Sequence, residues 1–455
     1  MTINETNTKT KYSLIAIKKD DSQNIDKSKK YSMFEDKEIK GKLFYVMPEK
    51  FSGYELYTSI ISQLKTYTGI DINIDLNSFL SITDSKDNEK FFFSLIPALN
   101  FISKTPYTRK TKEVKTVNFN LLLKDIKKYE SILNESINIS NDQTFCRKLQ
   151  DMPSADMYPQ SFVDEMKDLF SDVESKVKIS IMSYDELVKK GLLLLTGVGK
   201  AADEEKYLPK LMVIEYNNST SKDKYAFVGK GVCFDTGGMN IKTGPNMRWM
   251  KYDMSGAAIV GSALHSLVKN EIKTNVVAVM PLVLNLVSAN AQRPDDIITS
   301  YSGKTVEMDN TDAEGRLILA DALTYAAKDL NATHLFDVAT LTGAMIYSLG
   351  ETYTGVWSTS DKIWKQIEDA SIISGEQVWR LPFHHEFTKM LKSNFADIAN
   401  SVSGPKAGSS RAACFLKEFT MKKHYSHFDV AATADKDNIG TGIILRTLYN
   451  IAKSQ

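Results

Sequence analysis

The sequence predicts an α/β protein with two domains: a small N-terminal α/β domain and a larger C-terminal domain with a mostly parallel sheet flanked by helices. Three observations support this. The 455 residues exceed one ordinary core, since a domain averages about 150 residues. The composition changes after Asp151-Met152-Pro153. Beyond Leu211, apolar strand-like runs alternate with helical stretches, which is typical of a parallel sheet covered by helices.

The N-terminal domain is expected to cover residues 1–137. Its short apolar runs alternate with polar turns and helical patterns, and none of it carries a chemical motif. The clearest runs are Tyr12–Ile17, Leu43–Val46 and Phe91–Leu95. Residues 138–158 are expected to form a linker, in which the helical pattern of Ile139–Leu149 ends before Pro153.

The larger domain is expected to cover residues 159–455 and to begin with an amphipathic helix at Phe162–Val173. Strands are predicted at Leu211–Tyr216, Tyr225–Phe234, Asn275–Pro281, His334–Val338 and His427–Ala431. Helices are predicted at Ser255–Lys269, Arg316–Leu330, Asp361–Ser374, Ala412–Lys423 and Thr441–Lys453. In such sheets ligands collect beyond the carboxyl ends of the strands.

Bulk composition excludes several classes of protein. The formal net charge of +1 gives no global argument for nucleic acid or a membrane surface, and the Lys-rich N-terminal third is interspersed with acids, as solvated faces are. No apolar run approaches the ~18 residues of a membrane span. The three cysteines lie far apart, and the polar N-terminus is unlike a targeting peptide. We therefore expect a cytoplasmic protein.

The first chemical signal is the stretch Asn310–Leu317. Asp312 and Glu314 lie two residues apart, so on an extended segment both carboxylates would point to one side and could share a metal ion. Gly315 would allow a tight turn, and Arg316 opens an apolar helical run. An alternative remains open, because Thr311 and Glu314 also fit a capping box, in which both residues only cap a helix.

A second acidic cluster lies upstream, in Gly229–Gly238 and the residues after it. Its glycines match neither a dinucleotide fingerprint nor a P-loop. Asp235 ends a strand and Asp253 precedes a helix, so each could merely shape a turn or cap a helix. Together with Asp312 and Glu314, however, they supply the four negative charges that two divalent cations need, and paired ions about 3.5–4 Å apart are a known hydrolytic arrangement.

Basic residues complete this prediction. Lys230, between two glycines, could approach an ion closely; beside a dication its pKa would fall and its neutral amine could become a ligand. Lys242 and Arg316 would remain cations for a polarised carbonyl or an anion. The six histidines do not cluster and are interpreted as packing or surface residues, and no serine occupies a G-x-S-x-G elbow.

These motifs resemble those of the leucine aminopeptidase (cytosol aminopeptidase) family. Asn310–Leu317 reads NTDAEGRL, the family signature, and Val228–Gly238 is similar to the family segment VGKGVTFDSGG. Similarity runs from about Arg147 to the C-terminus. Met247–Ala258, Asp337–Ala344 and His427–Ala431 also resemble family segments.

The resemblance implies a role for each matching residue. The loosely held metal would take Asp235, Asp312, which also contributes its main-chain carbonyl, and Glu314. The tighter metal would take Lys230, Asp235, Asp253 and Glu314. Lys242 would stabilise the oxyanion, and Arg316 would hold a bicarbonate that acts as general base. Met250, Thr340 and Gly343 would line the pocket for the first side chain, although ordinary core packing is an equally open role for them.

The family also implies an activity and an assembly. Its members release N-terminal residues, often leucine, from peptides by attack of a metal-bridging water, while the free amine of the substrate binds one metal. They assemble as homohexamers, and their N-terminal domain resembles a macro domain. Zn²⁺ or Mn²⁺ is expected, although an oxygen-rich site with one amine also suits Mg²⁺ or Co²⁺.

The sequence departs from the family pattern near the pocket and in one loop. Ala434 stands where the family often has methionine, which we expect to widen the pocket, and Leu284-Asn285-Leu286 replaces Glu-Asn-Met. Two other functions stay open at this stage. Carboxylates with Lys and Arg would also suit a two-metal phosphoesterase, and the N-terminal domain could bind nucleic acid or ADP-ribose.

Overall fold

The computed structural model describes residues 1–4, 10–18, 31–36, 39–402, 404 and 406–455. The chain divides into two compact units. Met1–Thr144 and Asp369–Glu376 form the first unit, and Phe145–Glu368 and Gln377–Gln455 form the second. The mixed α/β architecture that the sequence predicts is confirmed.

The first unit contains a six-stranded sheet in the order β1-β6-β5-β2-β4-β3. Its strands are β1 (Thr2–Asn4), β2 (Tyr12–Lys18), β3 (Met33–Glu35), β4 (Lys42–Met47), β5 (Asp71–Asp75) and β6 (Asn118–Leu122). Its helices are α1 (Gly53–Leu64), α2 (Leu76–Ile82) and α3 (Asn88–Ser103). All pairings are parallel except that of β3 with β4. The apolar run Phe91–Leu95 belongs to α3 and is buried.

Two helices pass from one unit into the other: α4 (Ile126–Asp151) and α11 (Asp361–Ser374). The predicted helical segment Ile139–Leu149 is the second half of α4. Within the residues described, no helix is both long enough and apolar enough to cross a membrane.

The second unit carries fourteen strands within the described residues. They are β7 (Lys178–Met182), β8 (Lys210–Asn217), β9 (Tyr225–Gly229), β10 (Gly231–Asp235), β11 (Asn275–Asn285), β12 (Ile297–Thr299), β13 (Thr305–Glu307), β14 (His334–Ala339), β15 (Thr354–Ser358), β16 (Val378–Arg380), β17 (Ile398–Ala399), β18 (His424–Asp429), β19 (Asp435–Lys436) and β20 (Ile439–Gly440). The remaining helices are α5 (Pro159–Phe170), α6 (Tyr184–Lys190), α7 (Leu193–Gly199), α8 (Ser255–Lys269), α9 (Gly315–Lys328), α10 (Ala344–Leu349), α12 (His385–Lys389), α13 (Gly408–Lys417) and α14 (Leu445–Lys453).

The main sheet of this unit has nine strands in the order β16-β15-β18-β14-β9-β11-β8-β7, with β10 also paired to β11. The pairings are parallel for β9–β11, β10–β11, β9–β14, β14–β18 and β15–β16. Every residue of β11 is buried, as expected for a central strand covered on both faces. The carboxyl ends of β9, β10, β14 and β18 therefore lie at one edge of the sheet.

Several predicted elements have other bounds in the structure. The helix predicted at Ala412–Lys423 is α13 (Gly408–Lys417), the helix predicted at Phe162–Val173 is α5 (Pro159–Phe170), and the strand predicted at His427–Ala431 is β18 (His424–Asp429). Two further predicted elements are interrupted. The strand predicted at Tyr225–Phe234 is divided at Lys230, whose backbone N–H donates to Val338 O instead of continuing one ladder. The helix predicted from Thr441 begins only at Leu445, because Ile444 has φ of +67°, and a left-handed β-branched residue cannot continue a helix. Both interruptions arise from tertiary contacts or backbone geometry that hydrophobic periodicity does not report.

Candidate metal centre

Asp235 is the last residue of β10, and its carboxylate is fixed by the turn that follows. Its Oδ1 accepts from the Gly237 N–H at 2.8 Å and from Asn285 Nδ2 at 2.8 Å. Gly237 and Gly238 have φ of +85° and +63°, values that favour glycine. The turn that the sequence offered as an alternative is thus real, and it leaves Oδ2 of Asp235 facing Lys242, whose Nζ lies 2.8 Å away.

Lys230 occupies the break between β9 and β10. Its side chain is 3% exposed, and its Nζ lies 2.7 Å from Asp253 Oδ1, 2.9 Å from Glu314 Oε1 and 2.9 Å from the carbonyl oxygen of Thr340. Gly256 permits this arrangement, because a Cβ at that position would lie 2.0 Å from Val338 O and 2.6 Å from Lys230 N. The lysine therefore joins three segments that are distant in sequence.

The segment from Thr311 to Glu314 is a turn, which contradicts both expectations for it. It is not extended, and Thr311 does not cap a helix: its Oγ1 donates to Gly237 O at 2.7 Å and accepts from the Asn240 N–H at 2.8 Å. Helix α9 begins at Gly315, and Glu314 precedes it without a side-chain capping bond. The threonine instead joins this turn to the one after β10.

The turn nevertheless brings the acidic residues together. Carboxylate oxygens of Asp235, Asp312 and Glu314 all lie within 4.8 Å of one another. Among the described residues, Asp253 Oδ2 and Glu314 Oε2 are buried without a hydrogen-bond partner. A buried carboxylate oxygen without a partner is costly, and a divalent cation would satisfy it. The oxygen-rich donor set, with one amine, fits hard or borderline divalent ions.

Burial and mutual repulsion shift the acidic groups of this cluster. Burial raises the pKa of Glu314, and the carboxylate of Asp235 raises it further against the opposing effect of Lys230. Burial likewise raises the pKa of Asp312 and of Asp253. The ionised form of these carboxylates is therefore disfavoured, and additional positive charge nearby would stabilise it.

The two lysines respond in the opposite sense. Burial disfavours the charge on Lys230, but the carboxylates of Asp253, Glu314 and Asp235 outweigh it and raise its pKa. Lys242 is also buried, and Asp235, Glu314 and Asp312 raise its pKa in the same way. Its Nζ lies 2.5 Å from Asp312 Oδ1. Four carboxylates against two ammonium groups leave two net negative charges when all are ionised.

Arg316 is buried in the first turn of α9, two residues after Glu314. It is 8% exposed, its Nη1 donates to Asn400 O at 2.7 Å, and its Nε has no hydrogen-bond partner among the described residues. Burial lowers its pKa to about 10, so it remains a cation at neutral pH. It is absent from the described residues that line the cavity in front of the cluster.

That cavity has a volume of about 670 Å³, within the size range of small-molecule sites. Its wall contains the four acidic residues and the two lysines of the cluster: Asp235, Asp253, Asp312, Glu314, Lys230 and Lys242. The three residues expected to form a side-chain pocket, Met250, Thr340 and Gly343, line the same space. Thr340 also donates its hydroxyl to Asp253 Oδ1 at 2.8 Å. The structure thus places these three beside the cluster rather than in a remote core.

Three buried polar residues that hold this site were missed in the sequence. Asn285 donates to Asp235 Oδ1 and to Thr311 O. Asn400 Nδ2 donates to Asn310 O at 2.7 Å, and its own backbone carbonyl accepts from Arg316. Asp429 accepts from the backbone N–H groups of Leu341 and Ala431. Asn285 keeps the asparagine of the family triplet Glu-Asn-Met while both of its neighbours differ, which was a usable signal; Asn400 offered none.

The histidines lie apart from the cluster. His427 is fully buried, with Nδ1 2.7 Å from Asp337 Oδ1. Burial disfavours its charged form, but Asp337 outweighs this and raises the pKa of His427. His384 and His385 lie at the start of α12. None belongs to a group of three or more metal-ligating side chains within the described chain.

A buried group of convergent carboxylates with lysines at the mouth of a cavity is suited to metal-assisted hydrolysis. Comparison with known proteins gives the class of reaction. Residues 144–449 match the model of the cytosol aminopeptidase family, catalytic domain. The probable cytosol aminopeptidase of Mycoplasma pneumoniae is 46% identical over 400 residues, covering 87% of this chain and 88% of that protein.

More distant relatives agree. The cytosol aminopeptidase of Dictyostelium discoideum is 35% identical over 406 residues, covering 86% of this chain and 76% of that protein. The structure of leucine aminopeptidase from Caenorhabditis elegans is also similar, with a TM-score of 0.83 and 26% sequence identity. The match covers 100% of this chain and 98% of that one. The chain therefore belongs to the cytosol aminopeptidase family and is a metal-dependent hydrolase that removes N-terminal residues from peptides.

Proposed function

We propose that two divalent cations are held by Asp235, Asp312 and Glu314, with Asp253 and Lys230 completing the set. One ion would take Asp235, Asp312 through its side chain and main-chain carbonyl, and Glu314. The other would take Lys230, Asp235, Asp253 and Glu314. The observation that carries this proposal is the convergence of three carboxylates within 4.8 Å around buried oxygens without partners. Zn²⁺ or Mn²⁺ suits this set best, and Mg²⁺ or Co²⁺ also fits.

Two such ions supply the acidity that lets water attack a peptide carbonyl at neutral pH. The chain's own residues position and neutralise the reacting groups. Lys242, whose Nζ lies between Asp235 and Asp312, would donate a charged hydrogen bond to the carbonyl oxygen as negative charge develops there. Arg316 would hold a bicarbonate as general base, which the unpartnered Nε supports.

Met250, Thr340 and Gly343 would bind the side chain of the N-terminal residue, with leucine-like residues preferred. Their place in the wall of the cavity beside the carboxylates supports this role. We also propose that residues 1–137 form a macro-like domain, that 138–158 link it to a catalytic domain of residues 159–455, and that six copies assemble. A cytoplasmic location agrees with the name of the family. The phosphoesterase alternative gains no support from the comparisons.

Blocking the substrate amine tests the proposed function. Protein loaded with Mn²⁺ or Zn²⁺ should hydrolyse leucyl p-nitroanilide, and the N-acetylated substrate should be turned over at least about 10³-fold more slowly, because positioning by the free amine is lost. A phosphoesterase would hydrolyse p-nitrophenyl phosphate and not the anilide. That outcome, or equal rates with and without the acetyl group, would overturn the proposal.

Gly315 gives a second test, directed at Lys230. A Cβ at Gly315 would lie 2.6 Å from Cε and 2.8 Å from Nζ of Lys230, so Gly315→Ala should displace this ammonium group from Asp253 and Glu314. We expect kcat/KM to fall by about 10²-fold, the effect of a misplacement of about 1 Å.

Gly408→Ala is the matched control, because both glycines are the first residue of a helix. Among the residues that the structure describes, a Cβ at Gly408 would meet only Ala344 Cβ, at 3.6 Å, so this variant should retain full activity. Equal activity of the two variants in steady-state assays would show that the position of Lys230 is unimportant.

A further inference from the structure

One charged group in the wall of the cavity is not used by the proposed mechanism. Asp435, the first residue of β19, lines the same cavity as Met250, Thr340 and Gly343. Its carboxylate makes no hydrogen bond and no ion pair with any residue in the described part of the chain. The other acidic residues of the wall belong to the metal cluster, so Asp435 is free to contact a substrate.

The residues around Asp435 make this part of the wall acidic. Burial raises the pKa of the Asp435 carboxyl, and the carboxylates of Glu351 and Asp151 raise it further, against Lys251. Lys251 does not neutralise it by direct contact: its Nζ donates to the carbonyl oxygen of Asp151 at 2.7 Å and lies 4.9 Å from the ring centroid of Tyr252. A carboxylate held in this way would be stabilised by a cation from outside the protein.

The cationic residues of the wall are engaged elsewhere. Lys230 and Lys242 are paired with carboxylates of the metal cluster, and the guanidinium of Arg248 lies 4.5 Å from the ring centroid of Trp249. Ala434, where the family often has methionine, is 1% exposed and does not line the cavity, whereas its neighbour Asp435 does. The expectation that Ala434 widens the pocket therefore has no support in the structure, and the residue beside it, Asp435, contributes to the wall instead.

We propose that Asp435 makes the cavity accept peptides with an N-terminal lysine or arginine, whose ammonium or guanidinium group would pair with its carboxylate. The inference rests on the proposed function of the cavity. The long aliphatic stems of lysine and arginine would pack along Met250 and Gly343, as leucine would, while the charged ends reach the acidic wall. Leucine-like side chains would occupy only the part of the pocket lined by Met250 and Gly343.

The test compares lysyl with norleucyl p-nitroanilide, since norleucine is lysine without its ammonium group. A pocket with only apolar walls would favour the norleucyl substrate. Because the ammonium group would pair with Asp435, the wild-type protein should hydrolyse the lysyl substrate at least as well as the norleucyl one. In Asp435→Asn, kcat/KM for the lysyl substrate should fall by about tenfold or more, the usual effect of losing a charged hydrogen bond. Hydrolysis of norleucyl and leucyl substrates should stay within about twofold, which also shows that the variant is folded.

Glu351→Gln is the matched control, because Glu351 influences Asp435 electrostatically but is exposed and outside the wall; it should leave the lysyl-to-norleucyl ratio within about twofold. A wild-type preference for norleucyl over lysyl of tenfold or more would overturn the inference, as would an unchanged ratio in Asp435→Asn. If that variant does not fold, the wild-type ratio decides. If no anilide is hydrolysed, the proposed function fails and the inference falls with it.

Discussion

Replacing Glu314 by glutamine is expected to lower kcat/KM for leucyl p-nitroanilide by about 10³-fold or more. Glu314 is 1% exposed and is the carboxylate that lies both beside Lys230 and within the cluster of Asp235 and Asp312. Glutamine keeps the shape and removes the charge. A metal centre contributes several kcal/mol to catalysis, and each 1.36 kcal/mol is a factor of ten in rate.

Asp309→Asn is the matched control for this charge. Asp309 is an exposed acid of the same loop and lies outside the described wall of the cavity. Its replacement should leave kcat/KM within about twofold, since surface substitutions away from the site have small effects. Retention of more than a tenth of the wild-type kcat/KM by Glu314→Gln would mean that Glu314 does not serve the chemistry.

Replacing Lys230 by methionine is expected to destabilise the metal-free protein by about 3–5 kcal/mol. The substitution leaves the buried carboxylates of Asp253 and Glu314 without the ammonium group that lies 2.7 and 2.9 Å from them. Unpaired charges in such a site are far more costly than a lost surface pair. Urea unfolding of chelator-treated protein, with m-values compared, measures the change.

The matched control is Lys176→Met, which breaks an exposed pair with Glu271 and should barely move the urea midpoint. Divalent cations added back to Lys230→Met should recover part of the lost stability, since they would neutralise the same carboxylates and bind only the folded protein. A metal-free Lys230→Met protein as stable as the control would show that the lysine does not neutralise this cluster.

The sequence was sufficient to predict which residues converge, because the motifs place chemistry at the ends of parallel strands. Asp235 at the end of β10 and Asp312 and Glu314 before α9 do meet. The local reason offered for the last two was wrong: they approach through a turn tied by Thr311 to Gly237, and not along an extended segment. The predicted convergence of these three carboxylates is confirmed, whereas the predicted extended backbone at Asp312 and Glu314 was wrong.

Other features could not be predicted, because they depend on contacts between segments distant in sequence. Lys230 contacts Asp253, Glu314 and Thr340, and the pairing of β9 with β14 contributes to these contacts. Asn400 holds the loop at Asn310 from 90 residues away, and nothing in its own neighbourhood indicates this. The sequence pattern predicts the helix Asp361–Ser374 as part of the second domain, but in the structure the segment Asp369–Glu376 belongs to the first unit. Single-sequence patterns report local propensity and burial, but not such tertiary partners.

The number of divalent ions bound per chain tests the central claim most directly. Chelator-treated wild-type protein and Glu314→Gln would be titrated with Mn²⁺, and bound metal measured by calorimetry and by elemental analysis after dialysis. We predict two ions per wild-type chain, and fewer than two, with weaker binding, for Glu314→Gln at unchanged fold. Full activity of wild-type protein without bound metal, or two tightly bound ions in Glu314→Gln, would contradict the assignment of this cluster as a two-metal centre.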